Sequence, residues 1–566
     1  MQNQRNLILA VVLSALVFLG WTFLSARFFP VANPPSTKVV NGKSVPLPTP
    51  ESQADQPAKL RDRMAVLRET PRVQIATPRL QGSINLKGAR IDDLVLTDHR
   101  ETVAKNSPPV RLLSPGGTQD AYFAQFGWSG QGAALPDANT VWTASGNRLT
   151  PDTPVTLSWN NNQGQLFRII VSIDKNYMFS VQQSVQNSGP GAIAIRPYGL
   201  VSRVGVSKDP SIWNMHTGPI GWWDGKTRYS VSFKDLDKAG PAGERETGTR
   251  WIGFGDKFWQ TALIPAQDAT VDAGFRAGAG NVYQADVAGA SQIVQPNGAA
   301  VTTTLRLFAG AKEVGILDAY EKAGVTQFDR AIDWGWFVWF EKPIFYLLDW
   351  LFKHIGNFGV AIICLTIIVR ALLFPVAQRQ FASMAAMRKV QPKMKALQER
   401  HKEDKPRLQQ EMMKLYQEEK INPLGGCLPI FIQLPIFIAL YKVLSLSIEM
   451  RHQPFVLWIR DLSAPDPLTP VNLFGLLPFN PPPMLHLGVL AILLGVTMWA
   501  TMRLSPQQMD PAQQQVMQFM PWLMMLFFAP LAAGLQLYYV MNNLLTLAQQ
   551  QLLYARTPGL NDDGKK

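Results

Sequence analysis

Apolar residues gather at the two ends of this 566-residue chain and thin out between them. Near the start, an apolar run over 7–24 follows Arg5 and precedes Arg27. It is longer than the roughly 7 to 15 residues of a secretory signal core and lacks a clean small-x-small cleavage site, so an uncleaved anchor over 1–30 is favoured over a signal peptide. Residues 31–59 are rich in Pro, Ser, Thr and Gln. Such a stretch buries too little apolar surface to fold and reads as a flexible linker.

The period changes over 60–330. Short alternating runs such as VTLSW at 155–159, FRIIVSI at 167–173 and FSVQQSVQ at 179–186 are separated by Gly, Pro, Asn and Asp. Alternation of this kind predicts strands, and their number predicts one large antiparallel β-sandwich domain with a single core. Two readings of Trp213, Trp222 and Trp223 stand side by side: a stacking platform for sugars, or buried aromatics, the plainer of the two. His99 and His216 lie in unrelated contexts, so no acid and base pair is visible and an enzyme is not expected.

From 331 onward the pattern is helical. Over 331–355, Trp336, Phe340, Leu347, Leu351 and Ile355 recur at helical spacing while Lys342, Asp349 and Lys353 fall elsewhere, which predicts an amphipathic helix in a membrane interface, with Pro343 in its first turn. Residues 356–377 then form an apolar run long enough to cross a hydrocarbon core of roughly 30 Å. Further spans are expected over 422–448, 484–503, 517–533 and 534–556. They are joined by a hairpin over 378–421, an outer loop over 449–483 and a short loop over 504–516, and a tail over 557–566 ends the chain. Basic residues crowd the hairpin, which assigns it to the cytoplasm. The expected architecture is therefore an α-helical polytopic membrane protein of six transmembrane helices, with both termini cytoplasmic and the β domain outside.

Arg370 sits inside the 356–377 run, where a charge costs at least about 2.5 to 3.5 kcal/mol. Either its side chain snorkels to the interface or it faces a wet cavity. In the hairpin, Met384, Met387, Val390, Met394 and Leu397 recur every three or four residues, as do Leu408, Met412 and Leu415, among basic residues that include Arg388, Lys389 and Lys393. The hairpin is thus either a self-contained coiled coil or a docking arm whose methionines adapt to varied apolar partners.

Charge and composition narrow the function. With 54 Lys and Arg against 41 Asp and Glu, the net charge is 54 − 41 = +13, which suits cytoplasmic loops facing anionic lipid. The two cysteines, Cys364 and Cys427, lie in apolar segments, so neither a disulfide scaffold nor a zinc site is indicated. No Asp or Glu falls within the five carboxy-terminal spans, which argues against a proton relay or cation-coupled pump, and no P-loop pattern occurs. The polar inventory of the spans is Thr366, Arg370, Gln433, Thr497, Thr501, Gln536, Tyr538, Asn542 and Asn543. Together they point to a shared wet pocket, although amides in membrane helices also serve as glue between helices. No cofactor or metal is implied, and the competing class is a polytopic transporter or channel with a ligand-binding β domain.

Five segments carry a resemblance: RALLFP at 370–375, MAAMRKVQPKMKALQER at 384–400, INPLGGCLPIFIQLPIFIALY at 421–441, PFVLWIRDLSAPDP at 454–467 and GLQLYYVMNNLLTLAQQQLLY at 534–554. Together they resemble the YidC family of membrane protein insertases, and the β domain resembles the periplasmic domain of its Gram-negative members. The resemblance implies a five-helix insertase core around a hydrophilic groove in the bacterial inner membrane. The family's groove arginine falls on Arg370, with neighbouring groove positions on Thr366, Gln433 and Tyr538 or Tyr539; Gln536 and Asn542 join them as candidates. It also implies nascent membrane proteins as substrates. The Sec translocon and the ribosome or signal recognition particle receptor are the implied partners, without any nucleic-acid substrate. The segment over 469–483 is longer than the family's outer loop leads one to expect.

Overall fold

The computed structural model describes residues 60–207, 216–401, 404–419, 428–474, 476–477, 487–504 and 511–556. The expected anchor, the linker, Trp213 and Cys427 fall outside the described residues. The chain divides into two compact units, one carrying the β-rich residues up to Gly335 together with Leu446–Glu449, and one carrying the helices of Trp336–Ser445 and from Met450 onward.

In the β-rich unit an eleven-stranded sheet and a nine-stranded sheet face each other. Pairing is antiparallel except for the short parallel ladder that matches Gln74 with Arg148. The strand Gln165–Ile173 shows the reason for the sandwich: Phe167, Ile169, Val171 and Ile173 point inward and are buried, while the residues between them are half-covered. At Gly199 the two sheets leave no room for side chains on both. A Cβ on Gly199 would lie 2.3 Å from Cδ2 of Leu305 in the opposite sheet. Three short helices, α1 (Arg63–Arg68), α2 (Phe233–Ala239) and α3 (Val314–Lys322), complete this unit among the described residues.

Charged groups inside it are paired. Asp286 is fully buried; its Oδ2 accepts from Arg245 at 2.7 Å, and Arg276 forms an ion pair with its Oδ1 at 3.0 Å. Glu313, just before α3, accepts from Arg79 at 2.6 Å and from the Tyr177 hydroxyl at 2.7 Å, with His99 Nε2 3.6 Å away. Burial opposes ionisation of Glu313, but His99, Tyr177 and Arg79 outweigh it and hold the carboxyl at about 2. Trp223 is buried against Phe275, and Trp222 is half-buried with Arg250 over its ring. Trp223 therefore presents no free stacking face.

The helical unit contains α4 (Val338–Ile355), α5 (Phe358–Leu372), α6 (Phe374–Arg400), α7 (Lys405–Glu418), α8 (Leu428–Leu446), α9 (Val489–Leu504), α10 (Pro511–Phe528) and α11 (Ala533–Arg556). In α4, Ile344, Phe345, Leu348 and Leu351 are buried, whereas Trp339, Tyr346 and Trp350 stay exposed on the other face. Pro343 lies in the second turn of α4 rather than the first. Gly356 ends α4 in a left-handed conformation with φ 77°, and the Asn357 side chain then accepts from Val360 N–H to start α5. Two helices are thereby joined without a loop.

Among the described residues, no helix is long and apolar enough to cross a membrane by itself. The six full-length spans expected from the sequence are not all present as single helices, and local chemistry explains why. Pro375 cannot donate to Ala371 O and its ring clashes there, so α5 stops at Leu372 after 15 residues, about 22 Å. Helix α11 is long enough, with 24 residues, but Gln536, Asn542, Asn543 and three consecutive glutamines dilute its apolar character.

Candidate functional site

Helix α5 packs against α4 and α11, and α9 packs against α10 and α11. On α5, Thr366 and Arg370 are four residues apart and so share a face. On α11, Tyr538, Asn542 and Thr546 form a stripe of the same spacing over about 12 Å. These two polar faces meet. Arg370 Nε donates to Asn542 Oδ1 at 2.7 Å, and its Nη2 donates to Thr546 Oγ1 at 2.6 Å and to Asn542 O at 3.4 Å.

The chemistry of these partners matters: all are neutral oxygens. Among the described residues no carboxylate pairs with Arg370, which is half-buried. The guanidinium is therefore oriented by dipoles but not neutralised. One turn along α11, the fully buried Tyr538 accepts a hydrogen bond at 3.3 Å from Gln433 Nε2 of α8. Gln433, Tyr538, Asn542, Thr546 and Arg370 thus converge from three helices on one polar strip.

The remaining candidates are engaged differently. Thr366 is fully buried and donates to Ile362 O at 2.7 Å, within its own helix. Gln536 is also fully buried, and its amide nitrogen donates to the carbonyls of Phe528 at 3.0 Å and Leu531 at 2.9 Å, closing the α10–α11 turn. Tyr539 packs against Phe528 and Phe437, with ring centroids 4.7 and 5.7 Å away. Asn543, on another face of α11, donates to Thr497 Oγ1 of α9 at 3.2 Å.

Two residues of this region escaped the sequence reading. Thr546 was readable as the i+4 neighbour of Asn542. Lys442, buried within α8, was equally readable as the lone charge in the apolar run over 422–448. Asp466 in the outer loop is also fully buried; its oxygens accept from Leu490 N–H at 2.8 Å and Trp458 Nε1 at 2.9 Å, tying the loop to the start of α9.

The hairpin of α6 and α7 closes around Val390 and Leu415, with Met394, Leu397 and Tyr416 packed against them. The Tyr416 hydroxyl lies 3.8 Å from Met394 Sδ, and Lys393 pairs with Glu419 at 2.5 Å. Met412 is half-buried. Met384, Met387, Arg388 and Lys389 lie on α6, in a stretch whose side chains fall outside the described residues.

Comparison with known proteins gives the family. Residues 72–347 match the family model of the YidC periplasmic domain, and residues 350–560 match that of the 60Kd inner membrane protein. The membrane protein insertase YidC of Zymomonas mobilis subsp. mobilis is 52% identical over 98% of this chain and 96% of its own. The protein of that name from Methylobacterium nodulans is 44% identical over 98% of this chain and 95% of its own. A crystal structure of an active YidC insertase covers 86% of this chain and 93% of its own at 19% identity and a TM-score of 0.36, an overlap too slight to support an inference. On the strength of the two family models and of relatives aligned along nearly its whole length, the chain belongs to the YidC family of membrane protein insertases.

Proposed function

We propose that this chain inserts nascent inner-membrane proteins through a hydrophilic groove built on the Arg370 strip, without covalent chemistry. The observation that carries the reading is an oriented guanidinium with neutral partners and no described carboxylate beside it. An acidic residue of an incoming tail that reaches about 4 Å from Arg370 gains on the order of 4 kcal/mol at an effective dielectric near 20. That exceeds the roughly 2.5 to 3.5 kcal/mol cost of holding an arginine in an apolar helix, so a transient visitor is worth attracting. Gln433, Tyr538, Asn542 and Thr546 offer the visitor exchangeable hydrogen bonds, while Thr366, Gln536 and Tyr539 brace the helices.

In this reading the chain crosses the inner membrane six times, with both termini and the hairpin cytoplasmic and the β-rich unit in the periplasm. The short α5 supports it physically: a helix of about 22 Å is matched by local thinning of the bilayer, which shortens the path of a polar tail. The substrate's apolar segment leaves into lipid, driven by its own burial at about 25 cal/mol per Å². The hairpin receives ribosome-delivered chains, and the Sec translocon is the partner for larger substrates.

The test is site-directed photocrosslinking from positions beside Arg370 to nascent chains stalled at increasing lengths. Adducts that appear and then vanish as the chain lengthens are expected. Adducts independent of length, or with any soluble protein, would remove the proposal.

A further inference from the structure

The β-rich unit carries a cleft of about 590 Å³ that the groove does not use, on the outer face of the eleven-stranded sheet. Two cross-strand rows form its floor. One matches Arg148 with Gln74, Gln74 with Ser83 and Ser83 with Asp93; the other matches Ala76 with Gln81, Gln81 with Val95 and Val95 with Arg111. Residues two apart on a strand share a face, so both rows look outward, while Val73, Leu80, Leu94 and Leu96 point into the core. Arg63 of α1 lines the cleft as well.

The lining is basic, with three arginines against one carboxylate, Asp93, which is paired with Arg63. Arg111 and Arg148 are exposed, and neither guanidinium forms an ion pair among the described residues, although the Arg111 backbone N–H donates to Glu101 Oε1 at 3.2 Å. Arg63 Nε is buried and meets no acceptor among them. Between the arginines stand Gln74, Gln81 and Asn147, amides that both donate and accept.

We infer that this cleft binds an extended acidic peptide segment lying across the strands. From the strand of Arg148 to that of Arg111 are four strand spacings of about 4.8 Å, roughly 19 Å, the length of about six extended residues. Carboxylates near the two ends of such a segment meet Arg148 and Arg111, and the central amides meet its backbone N–H and C=O groups. A sugar is the poorer occupant, because no aromatic ring lines the cleft to stack on a pyranose face. The ligand shares its chemistry with the visitor proposed for Arg370, but the site stands on the β-rich unit alone and is tested without any insertion assay.

The full chain in detergent is titrated against a fluorescein-labelled hexapeptide with Asp at its first and last positions and against the same peptide with Asn there, with anisotropy as the readout. The acidic peptide is expected to bind, and to weaken as salt rises from 50 to 300 mM, on the order of the screening expected for exposed charges. Arg111→Gln and Arg148→Gln are each expected to lower its affinity about tenfold, a loss of the size of one charge-assisted contact. Both side chains are exposed, and an unchanged melting temperature will show that the fold is kept. Equal binding of the Asn peptide, unchanged affinity in both variants, or tighter binding of a sulfated oligosaccharide than of the acidic peptide overturns the inference.

Discussion

At the scale of residues, the placement of charge in this protein is decided by what each charge can reach. Glu313 reaches Arg79, Tyr177 and His99 and is held ionised despite burial. Its carboxyl titrates at about 2 when folded, below the ordinary 4.5, so its stabilising effect is complete above pH 4.5 and is lost as pH falls toward 2. Glu313→Gln is expected to cost on the order of 2 to 3 kcal/mol at pH 7, with the gap to wild type closing below pH 4. Denaturant titrations of the full chain in detergent at pH 7, 5, 4 and 3 measure it, and a gap independent of pH contradicts the assignment. Arg370 is the opposite case, reaching only neutral oxygens. Its position was legible in the sequence because a lone charge interrupts an apolar run. The roles of its neighbours were not legible to the same degree. Thr366 and Gln536 are as polar in sequence as Asn542, but sequence does not give direction, and their strongest contacts are to backbone carbonyls.

Elements show where a single residue overrides a pattern. The apolar run over 356–377 reads as one span, and its length comes from the hydropathy of its side chains. Pro375 acts on the backbone instead, so helix α5 ends at Leu372 and α6 begins at Phe374, before the basic hairpin pattern starts. The hairpin seam was readable from its period, as the packing of Met394, Leu397 and Tyr416 on Val390 and Leu415 illustrates. The anchoring of α5 to the outer loop was not, since it depends on contacts about a hundred residues apart. Gly359 lets that loop approach: a Cβ there would stand 2.0 Å from Cδ2 of Phe455, while Asn357 donates to Phe455 O at 3.0 Å. Gly359→Ala is therefore expected to cost about 1 to 3 kcal/mol through overpacking. Adding Phe455→Ala should recover part of the loss, which thermal unfolding of the two single variants and the double variant will show; strict additivity would refute the contact.

At the scale of the whole molecule, each unit carries its own polar surface and its own core. The β-sandwich was legible from alternation such as that of Gln165–Ile173, because a strand with one buried face writes its register into the sequence. Its outer cleft was not, since Arg63, Arg111 and Arg148 come together only through strand order. Removing residues 60–330 is expected to leave insertion of a short-tailed substrate within about threefold of wild type, because the Arg370 strip is contained in the helical unit; reconstituted insertion assays at matched protein level decide it. In the proposed function the charge of Arg370 attracts acidic substrate tails. The most direct measurement compares wild type, Arg370→Lys and Arg370→Ala for insertion of one substrate whose outer tail carries either acidic residues or their amides. A loss of about tenfold is expected for Ala with the acidic tail, with partial retention by Lys and little difference among the three with the amide tail. Equal insertion of the acidic tail by wild type and Arg370→Ala, at equal protein level, would contradict it.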